Sequence, residues 1–277
     1  RRGEEYHPGV RYEASAAAPV YTVSARQAEQ LSPELLGLRP ALVYLALDEA
    51  ASHPALVSDI LARGIPFAPM LPRIVSDAEW EDVGGQLNAL WDLGVREALC
   101  GNLGQFLPLR ARGFALRGDF GLNVFNSQTL KELRRLGLQS ACLSFELGVA
   151  QLRDLSKSLD TELPVYGRLP LMLTENCVIK NRFGRCACTG TNQLIDRTGA
   201  LFPVVREYGC RNLILNSKKL FLADRMREFS RLGLWGARLM FTTENPRECA
   251  AALQRYMGQG VFEPGDYTRG LYFRTVE

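Results

Sequence analysis

The chain has 277 residues, of which 47% are hydrophobic and 23% charged, enough apolar material for one large core or two small ones. That composition excludes an intrinsically disordered chain. The longest apolar run, Ala41 to Leu47, falls far short of the ~20 residues that cross a bilayer, so neither a membrane protein nor an obvious secretory precursor is expected. Net charge is +3, too small to imply nucleic-acid binding by itself.

In chain order, short apolar runs alternate with amphipathic stretches. The expected strands are Val20 to Ser24, Leu42 to Leu47, Pro66 to Leu71, Glu97 to Gly101, Leu122 to Phe125, Ser140 to Ser144, Leu163 to Leu173, Asn212 to Leu215 and Ala237 to Thr242. Helix punctuation lies between them. Ser76 with Glu79 forms a capping box ahead of a stretch ending near Gly94, and Ser127 precedes Leu130, Leu133 and Leu136 before Gly137 stops that helix. Asn245, Pro246 and Glu248 supply cap, first-turn proline and box for a helix that Gly258 closes.

Each parallel strand pair needs a crossover, so this alternation predicts a parallel sheet. About eight units in about 250 residues suit a (β/α)8 TIM-barrel-like α/β fold. An open doubly wound sheet is the alternative, weakened by the absence of Gly-x-Gly-x-x-Gly after the first strand. Residues 1–18 read as an N-terminal extension and 19–277 as one barrel domain; an initial Arg rather than Met suggests a segment of a longer polypeptide or a processed product. One stretch breaks the rhythm. From Thr174 to Gly209 no helix is expected, and Leu194 to Phe202 reads as two short strands around a turn, within an irregular insertion at 174–211.

That insertion concentrates the candidate chemistry. Between Arg168 and Lys219 there are nine basic and three acidic residues, a surplus of +6, which leaves −3 for the rest of the chain. Four of the seven cysteines fall there, at Cys177, Cys186, Cys188 and Cys210. In an intracellular chain such clustering points to metal, with redox-paired or unliganded thiols as the alternative, and basic surroundings favour the thiolates that metals require. Four thiolates suit tetrahedral zinc or an iron–sulfur cluster; the lack of any Cys-x-x-Cys pair favours the cluster. The hairpin would fold the chain back so that Cys188 and Cys210 meet. Cys100, Cys142 and Cys249, each in an apolar context, read as small buried hydrophobes.

Only two histidines occur, His7 and His53, and His53 has no partner group in sequence, which counts against His-dependent triads, dyads and zinc-protease motifs; His53 before Pro54 reads as a solvated helix start. Polar residues at expected strand ends, among them Asp119, Glu146 and Arg168, converge on one mouth if the strands close into a barrel, with caps and turns as the alternative. Glu146 and Arg168 follow apolar strands, so each must be paired, solvent-facing or anion-binding. Arg182, Arg185, Arg206, Arg211, Lys218 and Lys219, interleaved with Phe183, Phe202 and Tyr208, suit phosphate contacts with base stacking or simply a solvated face.

Tyr166 to Met172, the cysteine region, Leu194 to Pro203, Gly209-Cys210 and Asn216-Ser217 together resemble the U-32 peptidase family, also called collagenase-like peptidases. Leu71 to Ile74, Gly118 to Ser127, Leu143 to Leu147, Gln151 to Leu155 and Tyr267 to Gly270 support the resemblance, which runs from about Val20 to the end and is nearest to the second module of long two-module members. The resemblance implies a TIM-barrel-like fold and, in several branches, a [4Fe–4S] cluster, here on Cys177, Cys186, Cys188 and Cys210. It further implies prephenate-dependent or oxygen-independent hydroxylation of ribosomal or transfer RNA, with prephenate as a co-substrate, in a cytoplasmic protein. Asp119, Glu146 and Arg168 are then the expected substrate-facing groups. A peptidase using Asp119 and Glu146, and a non-catalytic module that binds RNA or a sister barrel of a longer chain, are the competing expectations.

Overall fold

Eight parallel strands close into a barrel in a computed structural model that describes residues 18–186 and 192–273. In chain order the strands are β1 (Val20–Ala25), β2 (Leu42–Ala46), β3 (Phe67–Met70), β4 (Glu97–Cys100), β5 (Ala115–Gly118), β6 (Leu138–Cys142), β7 (Asp160–Gly167), β8 (Pro170–Thr174), β9 (Asn192–Ile195), β10 (Leu201–Arg206), β11 (Asn212–Leu215), β12 (Lys219–Phe221), β13 (Gly236–Phe241) and β14 (Tyr267–Thr268). The barrel is β1 to β7 followed by β13, which pairs in parallel with both β7 and β1 and so completes the ring. The open-sheet alternative is therefore excluded.

Side-chain alternation divides each barrel strand between two environments. On β13, Ala237, Leu239 and Phe241 join the large core packed under the helices, whereas Arg238 belongs to the interior. Leu42 and Tyr44 of β2, Ala68 of β3 and Leu99 of β4 form a separate small cluster with Met70 and Trp235. The outer helices begin and end where the sequence signals. Ser76 and Glu79 make their reciprocal box before the helix Trp80–Asp92, and Asn245 accepts from the Glu248 backbone N–H at 2.9 Å to open Pro246–Tyr256. Asn126 caps Ser127–Arg135, accepting from Thr129 N at 2.9 Å. His53 is exposed and directly precedes the helix Pro54–Ala62.

Three strand expectations change. Leu122 to Phe125 is no strand: Phe120–Leu122 is a 3-10 turn, Asn123 adopts a left-handed conformation, and Val124 contributes an isolated bridge to Leu143. The fifth barrel strand is instead Ala115–Gly118, whose short Ala-Leu-Arg-Gly run carries little apolar signal. The long run Leu163 to Leu173 splits into β7 and β8 across a chain reversal at Gly167 and Arg168, and Asn212–Leu215 belongs outside the barrel. A four-stranded antiparallel sheet in the order β8-β11-β10-β9 carries it, with β9 and β10 forming the expected hairpin. A short helix, Val178–Phe183, also occupies the stretch expected to lack one; Ile179 on it packs against Val204 and Ile214 of the sheet.

Candidate functional site at the barrel mouth

The antiparallel sheet roofs the C-terminal ends of the barrel strands. A cavity of about 90 Å3 lies between them. Ser24, Ala46, Met70, Asp119, Arg168, Met240 and Thr242 from strand ends form its floor and walls; Pro170, Leu173, Leu213 and Leu215 form its roof. This is the face on which barrel loops assemble binding sites. Four guanidinium groups, Arg26, Arg73, Arg168 and Arg238, line it against two carboxylates, Asp119 and Glu207. The cavity is therefore apolar in its body and positive in balance.

The floor is anchored from inside the barrel. Arg238, 1% exposed, donates from Nη1 to Asp119 Oδ1 at 2.5 Å and from Nη2 to Glu162 Oε2. Tyr44 donates its hydroxyl to Glu162, 3.1 Å from Oε2, and its ring lies 4.5 Å from the Arg238 guanidinium carbon. Burial alone would push Arg238 towards neutrality; the Glu162 and Asp119 carboxylates outweigh it and hold its pKa above the usual arginine value. Burial, reinforced by Glu162, likewise keeps the Tyr44 hydroxyl protonated. A second, half-buried pair joins Arg117 to Glu97 at 2.5 Å, and Arg117 also donates to Ser140 Oγ at 3.1 Å. Arg238 and Glu162 were not among the sequence candidates. For Arg238 the signal was present, as the single charge inside the otherwise apolar run 236–241; Glu162 sits beside Asp160 and Thr161 at the polar start of its strand and carried no such signal.

Asp119 and Arg168 thus reach one cavity, as expected of strand ends. Glu146 does not: it is exposed on the turn beyond β6, where its backbone N–H donates to Ser144 Oγ at 3.3 Å, and it contributes nothing to the cavity lining. Facing water removes the desolvation cost that made pairing necessary. Arg168 is half-buried and ties the barrel to the roof. Its Nη1 donates to the carbonyl oxygens of Asn216, at 2.9 Å, and Ser217, and its Nε to Thr243 Oγ1 at 3.3 Å.

The expected basic rim divides. Arg182, Arg185 and Arg206 are exposed, as is Lys218, which pairs with Asp266 at 3.0 Å. Arg211 is not a rim residue. It is 5% exposed and joins Glu79 of the barrel, at 2.8 and 3.0 Å, to Glu175 at 2.6 Å. Lys219 is similarly committed, 3.1 Å from the buried Glu244 carboxylate. Lys219 is drawn inward by a carboxylate with no access to water, whereas Arg211 is held between the partly exposed Glu79 and the exposed Glu175.

The cysteines also divide. Cys100, Cys142 and Cys249 are fully buried, and burial raises all three thiols, Cys100 to about 12, which keeps them protonated and inert. Cys177, Cys186 and Cys210 lie nearer solvent, and the register brings two of them to one place. Thr174 on β8 stands opposite Asn212 on β11, so Cys177, just beyond the end of β8, and Cys210, just before β11, share one end of the sheet. Asn212 Oδ1 accepts from Val178 N at 2.7 Å, and Cys177 Sγ accepts from Lys180 N at 3.3 Å. A backbone N–H aimed at sulfur is a contact that a metal-bound thiolate uses. Cys186 is exposed just past the helix Val178–Phe183, and Cys188 lies outside the described residues, as does its expected meeting with Cys210. Among the described residues no three Cys, His, Asp or Glu side chains converge to hold a metal ion. The thiol chemistry and the Cys177/Cys210 placement fit a thiolate-bound metal group.

Among the described residues no helix is long and apolar enough to cross a membrane. No family model matches the sequence, and no curated protein matches it. Among solved structures the chain is similar to the U32 peptidase Mk0906, at 12% identity and a TM-score of 0.50, over 88% of this chain and 100% of that one. It also aligns with the spore cortex-lytic enzyme SleL of Bacillus cereus (8% identity, 88% and 75% of the chains, TM-score 0.42) and with 3-dehydroquinate dehydratase from Geobacillus kaustophilus (12%, 54% and 78%, 0.36). At such identities the likeness to the U32 peptidase is one of fold, and it agrees with the resemblance read from the sequence.

Proposed function

We propose that the chain is an iron–sulfur barrel protein of the U-32 peptidase family that acts in RNA base modification, by prephenate-dependent or oxygen-independent hydroxylation. The observation that carries this reading is the placement of Cys177 and Cys210 at one end of the roofing sheet, whose Leu173 and Leu213 line the mouth cavity. Cys177, Cys186, Cys188 and Cys210 would hold the cluster, zinc being the alternative occupant. A bound cluster would supply one-electron transfer. The chain's own residues do the rest: Arg238 holds Asp119 at the cavity floor, Arg168 secures the roof, and Arg182, Arg185, Arg206 and Lys218 offer exposed cations for phosphate contacts.

The peptidase alternative needs Asp119 and Glu146 in one site. Only Asp119 lines the cavity, and its carboxylate is bound to Arg238, so that pair has little geometric support.

Metal and sulfide analysis of anaerobically purified protein tests the proposal, with absorption spectra taken before and after dithionite. Iron and sulfide near about four each, with visible absorption that bleaches on reduction and is lost in Cys210→Ser, is the expected result. Stoichiometric zinc, or a metal content unchanged in Cys210→Ser, overturns the cluster. Salt-dependent RNA binding that weakens when Arg182, Arg185 and Arg206 are replaced by Gln tests the partner; binding indifferent to those changes removes it.

A further inference from the structure

At the end of the roofing sheet that carries Cys177 and Cys210 lies a buried amide with one half unused. Asn212, the first residue of β11, is 0% exposed. Its Oδ1 accepts from Val178 N at 2.7 Å. A backbone N–H only donates, so that contact fixes which end of the amide faces Val178: the oxygen, not the nitrogen. Nδ2 has no hydrogen-bond partner among the described residues. Buried amide N–H groups are paired almost without exception, because an unpaired one gives up its bond to water and gains nothing. An aspartate could accept from Val178 without leaving a spare donor, so the contact with Val178 alone does not call for asparagine.

Two cysteines lie beside this amide along the chain. Val178 directly follows Cys177, and Cys210 stands two residues before Asn212. Both cysteines flank the paired positions Thr174 and Asn212. Cys177 Sγ already accepts one backbone N–H, from Lys180 at 3.3 Å. Cys210 is held in the left-handed region at φ +64°, a conformation that a non-glycine residue keeps only where its neighbours impose it. Here they do: Arg211 is buried and paired with Glu79 and Glu175, and Asn212 is buried and bonded to the Cys177 turn. The two cysteines are thus anchored through the residues next to them, and Asn212 Nδ2, the unpartnered atom of that anchor, is a donor.

We infer that Asn212 is a positioning residue of the metal centre: its Oδ1 fixes the Cys177 turn, while its Nδ2–H serves as a hydrogen-bond donor to sulfur of the group bound there. The inference rests on the proposed reading of Cys177 and Cys210 as metal thiolates, and adds to it a residue that sets the properties of the centre. Sulfur that accepts a hydrogen bond carries more negative charge at lower cost. The reduced, more negative state gains more from the donor than the oxidised state does, so Nδ2–H raises the reduction potential of an iron–sulfur centre. Around zinc, which undergoes no redox change, the same donor strengthens binding by stabilising the thiolate. An amide does this without a charge of its own. An aspartate at position 212 would place a buried anion beside the thiolates and act in the opposite direction.

Redox titration of the full chain, purified anaerobically with its metal, tests this. Asn212→Asp keeps the acceptor for Val178 and removes the donor, and Asn212→Leu removes both without adding charge. Lys180→Gln is the control: it changes the charge at the same end of the sheet by the same single unit as Asn212→Asp and leaves every backbone N–H in place. Both Asn212 variants are expected to make reduction about tenfold less favourable, a fall in midpoint potential of about 59 mV for one electron, and Lys180→Gln about threefold at most. Iron content equal to the wild type in Asn212→Asp shows that the centre is intact. Where Asn212→Leu loses its iron along with the Cys177 turn, Asn212→Asp against Lys180→Gln decides. An unmoved potential in the Asn212 variants, or a fall in Asn212→Asp that Lys180→Gln matches, overturns the inference and leaves the cluster standing. Zinc in place of iron overturns the cluster, and chelator competition then decides the inference: zinc held about tenfold more weakly in Asn212→Leu supports it, and equal affinity overturns it. A protein with no metal on these cysteines overturns both.

Discussion

Arg238 Nη1 and Asp119 Oδ1 are 2.5 Å apart, although Arg238 lies within β13 and Asp119 just past β5, three places away around the barrel through β7 and β6. The same guanidinium grips Glu162 with its other nitrogen. One buried cation thereby joins the closing strand of the barrel to the floor of the mouth cavity. Two carboxylates share its single positive charge, so neither can lose it cheaply. Arg238→Met should cost about 3–5 kcal/mol in urea unfolding, because it leaves Glu162 charged and unpaired where no water reaches. The double variant Arg238→Met, Glu162→Gln should recover part of that loss. A single-variant cost below about 1 kcal/mol would show that the pair is not what the interior depends on.

Barrel closure depends on a glycine. Gly167 ends β7 with φ +112°, and a β-carbon there would sit inside the contact distance of the Met240 carbonyl oxygen on β13. Gly167→Ala should lose about 3 kcal/mol or more, since it combines backbone strain with a clash against main chain that cannot rotate away. Gly64→Ala is the control: its φ is +69° but nothing lies within 4 Å, so only the conformational term of about 1 kcal/mol applies. Thermal melts of the two variants that coincide would mean the Met240 contact is relieved by a small shift.

The barrel was legible in the sequence because its strands announce themselves by burial. Val20–Ala25, Leu42–Ala46 and Gly236–Phe241 are buried apolar runs, and Asn245 with Glu248 caps its helix as the spacing requires. The fifth strand, Ala-Leu-Arg-Gly, escaped because its arginine points to a partner, Glu97, that only the neighbouring strand provides. The roofing sheet escaped for a related reason. Asn212–Leu215 is a largely buried apolar run that pairs antiparallel with β8 some forty residues earlier, so it looks like one more barrel strand until its partner is known. At the site, sequence position located Asp119 and Arg168 but not Arg73, Arg238 or Glu162. A charge reads as surface in a sequence; whether it is paired, buried or left over is decided by what faces it across the fold.

Lys157 gives an alkaline signature. It is 8% exposed, and its ammonium donates to the Leu152 and Leu155 carbonyl oxygens at 2.6 and 3.1 Å. Burial lowers its pKa to about 8 from the ordinary 10.5, with Asp154 opposing. The folded state thus holds its proton less tightly than the unfolded chain does. Between pH 8 and 10.5 the unfolded state binds more protons at this site, so the Lys157 contribution to stability rises with pH across that window and is constant below it. The difference in unfolding free energy between the wild type and Lys157→Met should change in that direction across pH 8 to 10.5. A pH-independent difference would show that the two carbonyls fully offset burial.

The acid side is governed by the clasp between roof and barrel. Glu79 binds Arg211 through both oxygens, while Tyr208, three residues before Arg211, donates its hydroxyl to Asp82 on the helix that follows Glu79. The Arg211 hydrogen bonds hold the Glu79 pKa at about 2, from an ordinary 4.5, against a burial effect that would raise it; the Ser76 N–H and hydroxyl add to the lowering. A depressed carboxylate stabilises the fold above its unfolded pKa, and that stability is lost as pH falls through the folded value. The clasp should therefore weaken between about pH 4.5 and 2 and be at full strength above that window. Trp80 adjoins Glu79, so its fluorescence, read in a variant with Trp91 and Trp235 replaced by Phe, should report the change. Arg211→Ala should lack the transition and already show faster proteolysis of the roofing sheet at neutral pH, with Arg211→Lys intermediate. An acid transition of the same midpoint in Arg211→Ala would assign it to another carboxylate. Proteolysis as slow in that variant as in the wild type would mean that the Tyr208–Asp82 contact and the Arg168 ties hold the roof unaided.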